Sequence, residues 1–307
     1  MQNGLRGQDI GGAGGPFDLA HDAAYSAWRK RKLADYPARA EDLIVPVEHL
    51  AQPSPVERLA LADRCARTNM AIYRVAETDE QAIRRGLRAF GAAFGLRAAE
   101  DHRSAEADGI VRIEPVESGG RLGYIPYTDR PIAWHTDGYY NYHGPAHCIQ
   151  AMLLHCVRDS DDGGENRLLD PEIAYIRLRD RDPALVAALM REDAMTIPAS
   201  VEAGGRVRPD NAGPVFFLDP AGALGMRYTA RTRSIAWRDD EPTRRAAAAL
   251  RELLEDDPLT LRVRLRPGDG LLCNNVLHDR SGFSTAGRAR LLYRIRYHGR
   301  IDAAQGA

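Results

Sequence analysis

Hydrophobic and polar positions change rhythm near residue 110. Upstream, apolar residues recur at helical spacing between turn signals. A helix is predicted from about Phe17 to Asp35, stopping before Pro37. Ser54 caps a second, with Pro55 at its first position, running to about Thr68. MAIYRVA (70–76) reads as a strand, and Thr78 with Gln81 forms a capping box ahead of a helix through Phe94. Downstream come short strand-like runs: GIVRIEPV, CIQAMLLHCV, PVFFLD, LTLRVRL, GLLCNNVL and RLLYRIRYH. Gly, Pro and Asp turns separate them, and helices near 171–179, 183–192 and 241–255 interrupt them. Many short strands without strict strand–helix alternation predict a β-barrel or jelly roll rather than a doubly wound sheet. The fold class expected is mainly β with flanking helices (α+β). A single domain is expected over 16–307, with an N-terminal helical layer at about 16–105 and a β core at about 106–300. The Gly-rich residues 1–15 read as a flexible arm; they follow no strand and lack a Gly-Lys-Ser/Thr ending, so they are not a phosphate loop.

Composition narrows the partners. Lys plus Arg (42) nearly cancels Asp plus Glu (43) over 307 residues. The chain as a whole is therefore not drawn to nucleic acid or an anionic membrane. Four cysteines without a Cys-x-x-Cys signal neither a zinc ribbon nor a thioredoxin-type site. No basic-then-apolar leader and no long apolar run occurs, so a cytoplasmic location is expected. Whether the chain forms a homo-oligomer is left open.

Candidate chemistry starts at WHTDG, which holds the one His-x-Asp of the chain, His135 and Asp137. On a strand, positions i and i+2 face one side, so this pair can take two corners of one metal ion. His278, after an apolar run, is the candidate third ligand, completing a two-His-one-carboxylate triad with open positions on Fe(II). Alone, His278 reads more readily as a structural histidine. Twelve residues on, Arg290, Arg294 and Arg296 share one face of a regular strand. An arginine facing a protein interior needs an anion, and its planar fork suits a carboxylate. Surface arginines are the plainer alternative.

These segments resemble the TauD/TfdA-type Fe(II)- and 2-oxoglutarate-dependent dioxygenases. The resemblance runs from about Tyr124 to His298, through WHTDG, the strand leading to LLHCV, DDGGENRLLD, RPGDGLLCNNVLHDRSGF and GRARLLYRIRY. It implies a double-stranded β-helix core and Fe(II) held by His135, Asp137 and His278. It also implies 2-oxoglutarate chelating the metal, with its far carboxylate on Arg290, and O₂ as oxidant. The family's Gly-Gly-x-Thr/Ser element has Asn166 at the hydroxyl position here, whose NH₂ is still a donor. Arg294 matches a second arginine that serves substrate or co-substrate, while Arg296 is expected to matter much less. Related halogenases lack the carboxylate, so Asp137 implies hydroxylation, with release of succinate and CO₂.

The expected substrate is a small polar metabolite. Tyr124, Tyr127, Trp134, Tyr139, Tyr140 and Tyr142 crowd around His135. The stretch also resembles the γ-butyrobetaine hydroxylase branch, where a tyrosine at the spacing of Tyr127 helps cage a trimethylammonium group. That resemblance implies an amine or betaine held by cation–π contact, with Tyr124, Tyr127, Tyr140 and Tyr228 as walls and Arg231 as a carboxylate partner. The alternatives are a sulfonate or carboxylate held by Arg294 and Arg231, with the tyrosines as packing, or a catalytically silent binding module. A serine hydrolase is unsupported, since no Gly-x-Ser-x-Gly occurs.

Overall fold

The computed structural model describes residues 14–101, 104–119, 124–201, 207–287 and 289–301. Most of the Gly-rich start, residues 1–13, lies outside them.

The first half of the chain contributes α1 (Asp22–Ala34), β1 (Ile44–Pro46), α2 (Pro55–Thr68), β2 (Met70–Arg74), α3 (Glu80–Ala93) and β3 (Val111–Ile113). α2 starts as its sequence dictates. Ser54 Oγ accepts from the Glu57 backbone, and the Glu57 carboxylate takes the Ser54 N–H at 2.6 Å. Asn69, at φ 57°, ends it in the left-handed conformation that short polar side chains tolerate. α3 is capped by Asp79, which accepts from Ala82 N at 2.7 Å, and not by Thr78. A carboxylate is the stronger acceptor at a helix N-terminus, which moves the boundary by one residue.

The second half supplies β4 (Ile132–His135), β5 (Ala151–Arg158), β6 (Asn166–Leu169), α4 (Pro171–Arg181), α5 (Pro183–Leu189), α6 (Glu241–Asp256), β7 (Leu261–Val263), β8 (Asp269–Cys273), β9 (Leu277–Arg280) and β10 (Leu291–Tyr297). A six-stranded sheet runs β1-β2-β8-β5-β10-β3, and a four-stranded one runs β7-β6-β9-β4. Smaller two- and three-stranded pieces, among them Phe216–Leu218 paired with Leu224–Met226, flank them. The run read as one strand, GLLCNNVL, is two strands in different sheets. It breaks at Asn274 and Asn275, the latter at φ 48°.

Period-two alternation sets the layers. On the six-stranded sheet, Met70, Ile72, Met152, Leu154, Leu271 and Leu292 face one way and pack with Leu168 and Leu261 of the four-stranded sheet. Their neighbours Ala71, Tyr73, Leu153, Leu272, Tyr293 and Ile295 face the other way, against Leu61, Ile83, Leu87 and Phe90 of α2 and α3. The outer face of the smaller sheet, through Trp134, Leu169 and Leu277, is covered by α4, α5 and α6 together with Tyr25 of α1. The N-terminal helices therefore do not form one layer: α1 lies on the opposite side from α2 and α3. Two strands from that region, β1 and β2, are built into the large sheet. The fold is mixed rather than mainly β, with about as many residues in helices as in strands. All four cysteines are buried free thiols. Among the described residues no helix is long and apolar enough to cross a membrane.

Candidate active site

His135 closes β4 and His278 sits on β9, and the two are direct partners in the antiparallel ladder. Their ring centroids are 4.2 Å apart with planes at 50°. Each ring uses Nδ1 on a main-chain carbonyl, His135 on Ala133 O at 3.0 Å and His278 on Val276 O at 2.9 Å. A carbonyl only accepts, so each Nδ1 carries the proton and each Nε2 keeps its lone pair, as metal-binding histidines require. Burial, with His278 adding to it, pushes the His135 imidazolium down to about 3, so its ring is neutral at pH 7.

Asp137 lies beyond the end of β4, in the following turn rather than on the strand. Asn275 fixes its backbone: Asn275 Oδ1 accepts from Asp137 N at 2.7 Å, and Nδ2 donates to Asp137 O and Ile149 O at 3.0 and 2.8 Å. The carboxylate Oδ1 of Asp137 accepts from Arg294 Nη1 at 3.0 Å and from Arg296 Nη1 at 3.2 Å. Burial opposes the charge, yet Arg294 and Arg296 hold the carboxyl well below the usual range, with both histidines adding. Oδ2 is buried with no hydrogen-bond partner. Among the described residues no three His, Cys, Asp or Glu side chains already form a metal-binding group. The histidine pair is assembled, whereas Asp137 is turned toward its arginines. Two free Nε2 atoms and an orphaned carboxylate oxygen still constitute the donor set of a two-His-one-carboxylate site.

A cavity opens beside the histidines, walled by His135, His278, Asn166, Arg280, Arg290 and Arg294 and by apolar side chains of both sheets. Arg290 is 2% exposed, yet its one hydrogen bond is a long one, Nη2 to Gly164 O at 3.4 Å. Among the described residues its Nε has no partner, and burial lowers its hold on the proton. A buried guanidinium without a carboxylate is costly unless a ligand supplies one. Gly163 and Gly164 (φ 68° and 75°) make room for this arm. A Cβ on Gly163 would come within 2.2 Å of Gly282 O, and one on Gly164 within 3.2 Å of Arg290 Nε.

Other expected residues land differently. Asn166 lines the cavity, but its NH₂ donates to Asp279 O at 2.7 Å and its Oδ1 is buried unpartnered. Arg296 is not peripheral: besides Asp137 it binds Glu100 (Nε, 2.6 Å) and the Tyr140 hydroxyl (3.1 Å). Tyr127 is buried in the apolar cluster between the sheets, and Tyr124 packs on that cluster. Tyr140 is bound to Arg296, while Tyr228 packs in the helical core beside Trp237 and contributes its backbone to the Thr136 segment. Arg231 is exposed. None of these five lines the cavity; for Tyr124 and Tyr127 the reason is that the segment before His135 turns their rings into the inter-sheet core.

Sequence reasoning missed Asn275, Arg280 and the role of Arg296. Arg280 had a signal, since it lies two residues past His278 on the same strand and faces the same way. Asn275 had none, because only the folded chain brings it to Asp137.

Paired imidazoles with free Nε2 atoms are donors of the kind that hold a metal ion, and the arginines lining the same cavity are of the kind that bind an acidic ligand. Residues 67–296 match the taurine catabolism dioxygenase TauD, TfdA family, and the chain belongs to that family. It is 31% identical over 162 residues to a uridine-5'-phosphate dioxygenase from an Amycolatopsis species, a match covering 51% of this chain and 57% of that enzyme. The non-heme iron oxygenase OrfP, in complex with Fe and L-Arg, superposes with a TM-score of 0.56 at 17% identity, covering 81% of each chain. An asparagine oxygenase in complex with Fe(II), 2S,3S-3-hydroxyasparagine and succinate gives 0.52 at 16% identity, covering 81% of this chain and 79% of that one. At those identities the likeness is one of fold.

Proposed function

We propose that the protein is an Fe(II)- and 2-oxoglutarate-dependent dioxygenase that hydroxylates a small polar metabolite, releasing succinate and CO₂. The observation that carries the reading is the joint placement of two imidazoles with free Nε2 atoms and an unpaired buried Arg290 on one cavity. The two facing sheets are read as the double-stranded β-helix core of the family.

His135, His278 and Asp137 would hold the metal, the last through its unpartnered Oδ2. Bound Fe(II) supplies the activation of O₂ and couples oxidative decarboxylation of 2-oxoglutarate to substrate oxidation. The protein's own share is orientation and exclusion of water. The main-chain carbonyls of Ala133 and Val276 fix both imidazole tautomers. Arg294 and Arg296 keep Asp137 ionised, and Asn275 fixes its backbone. Arg290 receives the far carboxylate of the co-substrate and so sets which end of the diacid reaches the metal. Met152, Leu154 and Leu292 give that cavity a dry wall, which strengthens each charge contact inside it.

For the substrate, the betaine reading rests on Tyr127, which does not reach the cavity. The similarity to a uridine-5'-phosphate dioxygenase favours an anionic substrate instead, with nucleoside monophosphates first to be tested. Purified protein with Fe(II), O₂ and 2-oxoglutarate is offered uridine-5'-phosphate, asparagine, arginine, betaines, sulfonates and aryloxy acids, and substrate-stimulated succinate is measured. Succinate formation stimulated by one class identifies it. A protein that binds neither Fe(II) nor 2-oxoglutarate overturns the enzyme reading in favour of a silent binding module.

A further inference from the structure

Arg280 is the second buried arginine of the cavity. It is 5% exposed and makes no ion pair with any described carboxylate. Its Nη2 donates to two main-chain carbonyls, Thr128 O at 2.8 Å and Arg130 O at 2.6 Å, while its Nε is buried without a partner. Arg280 and Arg290 sit on the same Phe283 ring, with their guanidinium carbons 4.7 and 5.3 Å from its centroid. Burial first, and then the charge of Arg290, push Arg280 down to about 9, with the Asp129 carboxylate opposing them only in part. Two buried cations beside one ring, each with an Nε that no described residue partners, form a site suited to an anion.

Asn166 strengthens the case. Its NH₂ donates to the Asp279 carbonyl, and the oxygen left over is an acceptor, which repels a carboxylate. We propose that Arg280 joins Arg290 in a two-arginine clamp on the distal carboxylate of 2-oxoglutarate, in place of a donor from Asn166. The two carbonyls fix one edge of the Arg280 fork and leave Nε for the ligand. Phe283 keeps both planes oriented, as stacked guanidiniums require. This inference rests on the dioxygenase reading above and gives the co-substrate end of the site its selectivity for a diacid.

The test is binding, read without turnover. Anaerobic Fe(II)-loaded protein is titrated calorimetrically with 2-oxoglutarate and with 2-oxobutanoate, which lacks the distal carboxylate. Arg280→Gln is expected to weaken 2-oxoglutarate about thirty-fold or more and to leave 2-oxobutanoate within about threefold. Arg280→Lys keeps the charge but loses the fork, and is expected to recover part of the loss. If Arg280→Gln does not fold, the Arg280→Lys protein carries the test, and an unchanged preference for 2-oxoglutarate over 2-oxobutanoate overturns the clamp. Equal losses for both acids would make Arg280 a prop for the Thr128–Arg130 turn and overturn it too. An Arg280-dependent affinity for uridine-5'-phosphate and not for 2-oxoglutarate would assign the pair to a substrate phosphate, again against the proposal. Arg290→Gln separates the levels: if it abolishes 2-oxoglutarate binding while Arg280→Gln binds 2-oxoglutarate as tightly as the unaltered protein, the clamp fails and the dioxygenase reading stands. If the unaltered protein binds no 2-oxoglutarate, both fail.

Discussion

Replacing Arg290 by methionine tests the site in two opposite directions at once. The guanidinium is 2% exposed, has one long hydrogen bond at 3.4 Å and carries an Nε without a partner among the described residues. Its desolvation is therefore nearly uncompensated. A flexible apolar side chain of similar length should leave the ligand-free fold as stable as before, or more so by about 1 kcal/mol. With 2-oxoglutarate the order reverses. At about 100 times its dissociation constant the ligand stabilises the unaltered protein by about 2.7 kcal/mol. Losing a buried charge-assisted pair costs about 2 to 5 kcal/mol, which weakens binding about thirty-fold or more. The same concentration then stabilises the variant by about 0.9 kcal/mol or less. At about 2 °C per kcal/mol for a chain of this size, the ligand-induced rise in Tm should shrink from about 5 °C to under 2 °C. Anaerobic thermal unfolding with Fe(II), with and without 2-oxoglutarate, reads both effects. A variant less stable without ligand by 2 kcal/mol or more would show that Arg290 is a structural cation. An undiminished ligand shift would show that the diacid sits elsewhere.

Three further outcomes follow from the same geometry. His278→Ala should abolish 2-oxoglutarate turnover and Fe(II) retention while melting within a few degrees of the unaltered protein; near-normal activity would remove His278 from the ligand set. Arg296→Met should weaken anaerobic Fe(II) binding about tenfold or more by loosening Asp137. It should also cost about 3 kcal/mol in urea unfolding, because Glu100 loses its buried cation, and adding Glu100→Gln should restore part of that. If single and double variants are equally unstable, the Glu100 pair carries no such energy. The last outcome concerns pH. Lys32 lies buried between Asp170 (2.6 Å) and Glu172 (2.5 Å), and burial holds the Asp170 carboxyl up at about 6 despite Lys32. Its folded value exceeds the ordinary value near 4, so its share of stability is complete below about pH 4 and is lost as pH rises through 6. Glu172, held low, works in the opposite direction. Asp170→Asn keeps a cap acceptor for α4 and should therefore flatten the fall between about pH 4 and 6 in urea midpoints; a steeper fall would refute the assignment.

Much of this protein is written locally. The capping box at Ser54 and the alternation Met70–Ala71–Ile72–Tyr73 are each decided by neighbours a few residues away, and both are legible in the sequence. The even spacing of Leu292, Arg294 and Arg296 likewise put both arginines on the inner face of β10, where Leu292 lines the sheet interface. His135 and His278 were recognisable through the family resemblance, and the ladder pairs them directly. What each cation does there was not legible, because partnership depends on which acid arrives from elsewhere in the fold. Arg296 meets Glu100 and Asp137, and Arg294 meets Asp137, while Arg280 and Arg290 form no ion pair among the described residues. Nor could the density of tyrosines before His135 reveal their direction. A phenol ring serves a cage or a core equally well, and the inter-sheet space claimed Tyr127 because burying its ring there removes apolar surface from water. Sequence alone thus set the elements, their inward faces and the type of chemistry; tertiary packing decided which charges are balanced and which are left for a ligand, since electrostatic pairing acts through space between residues 150 positions apart.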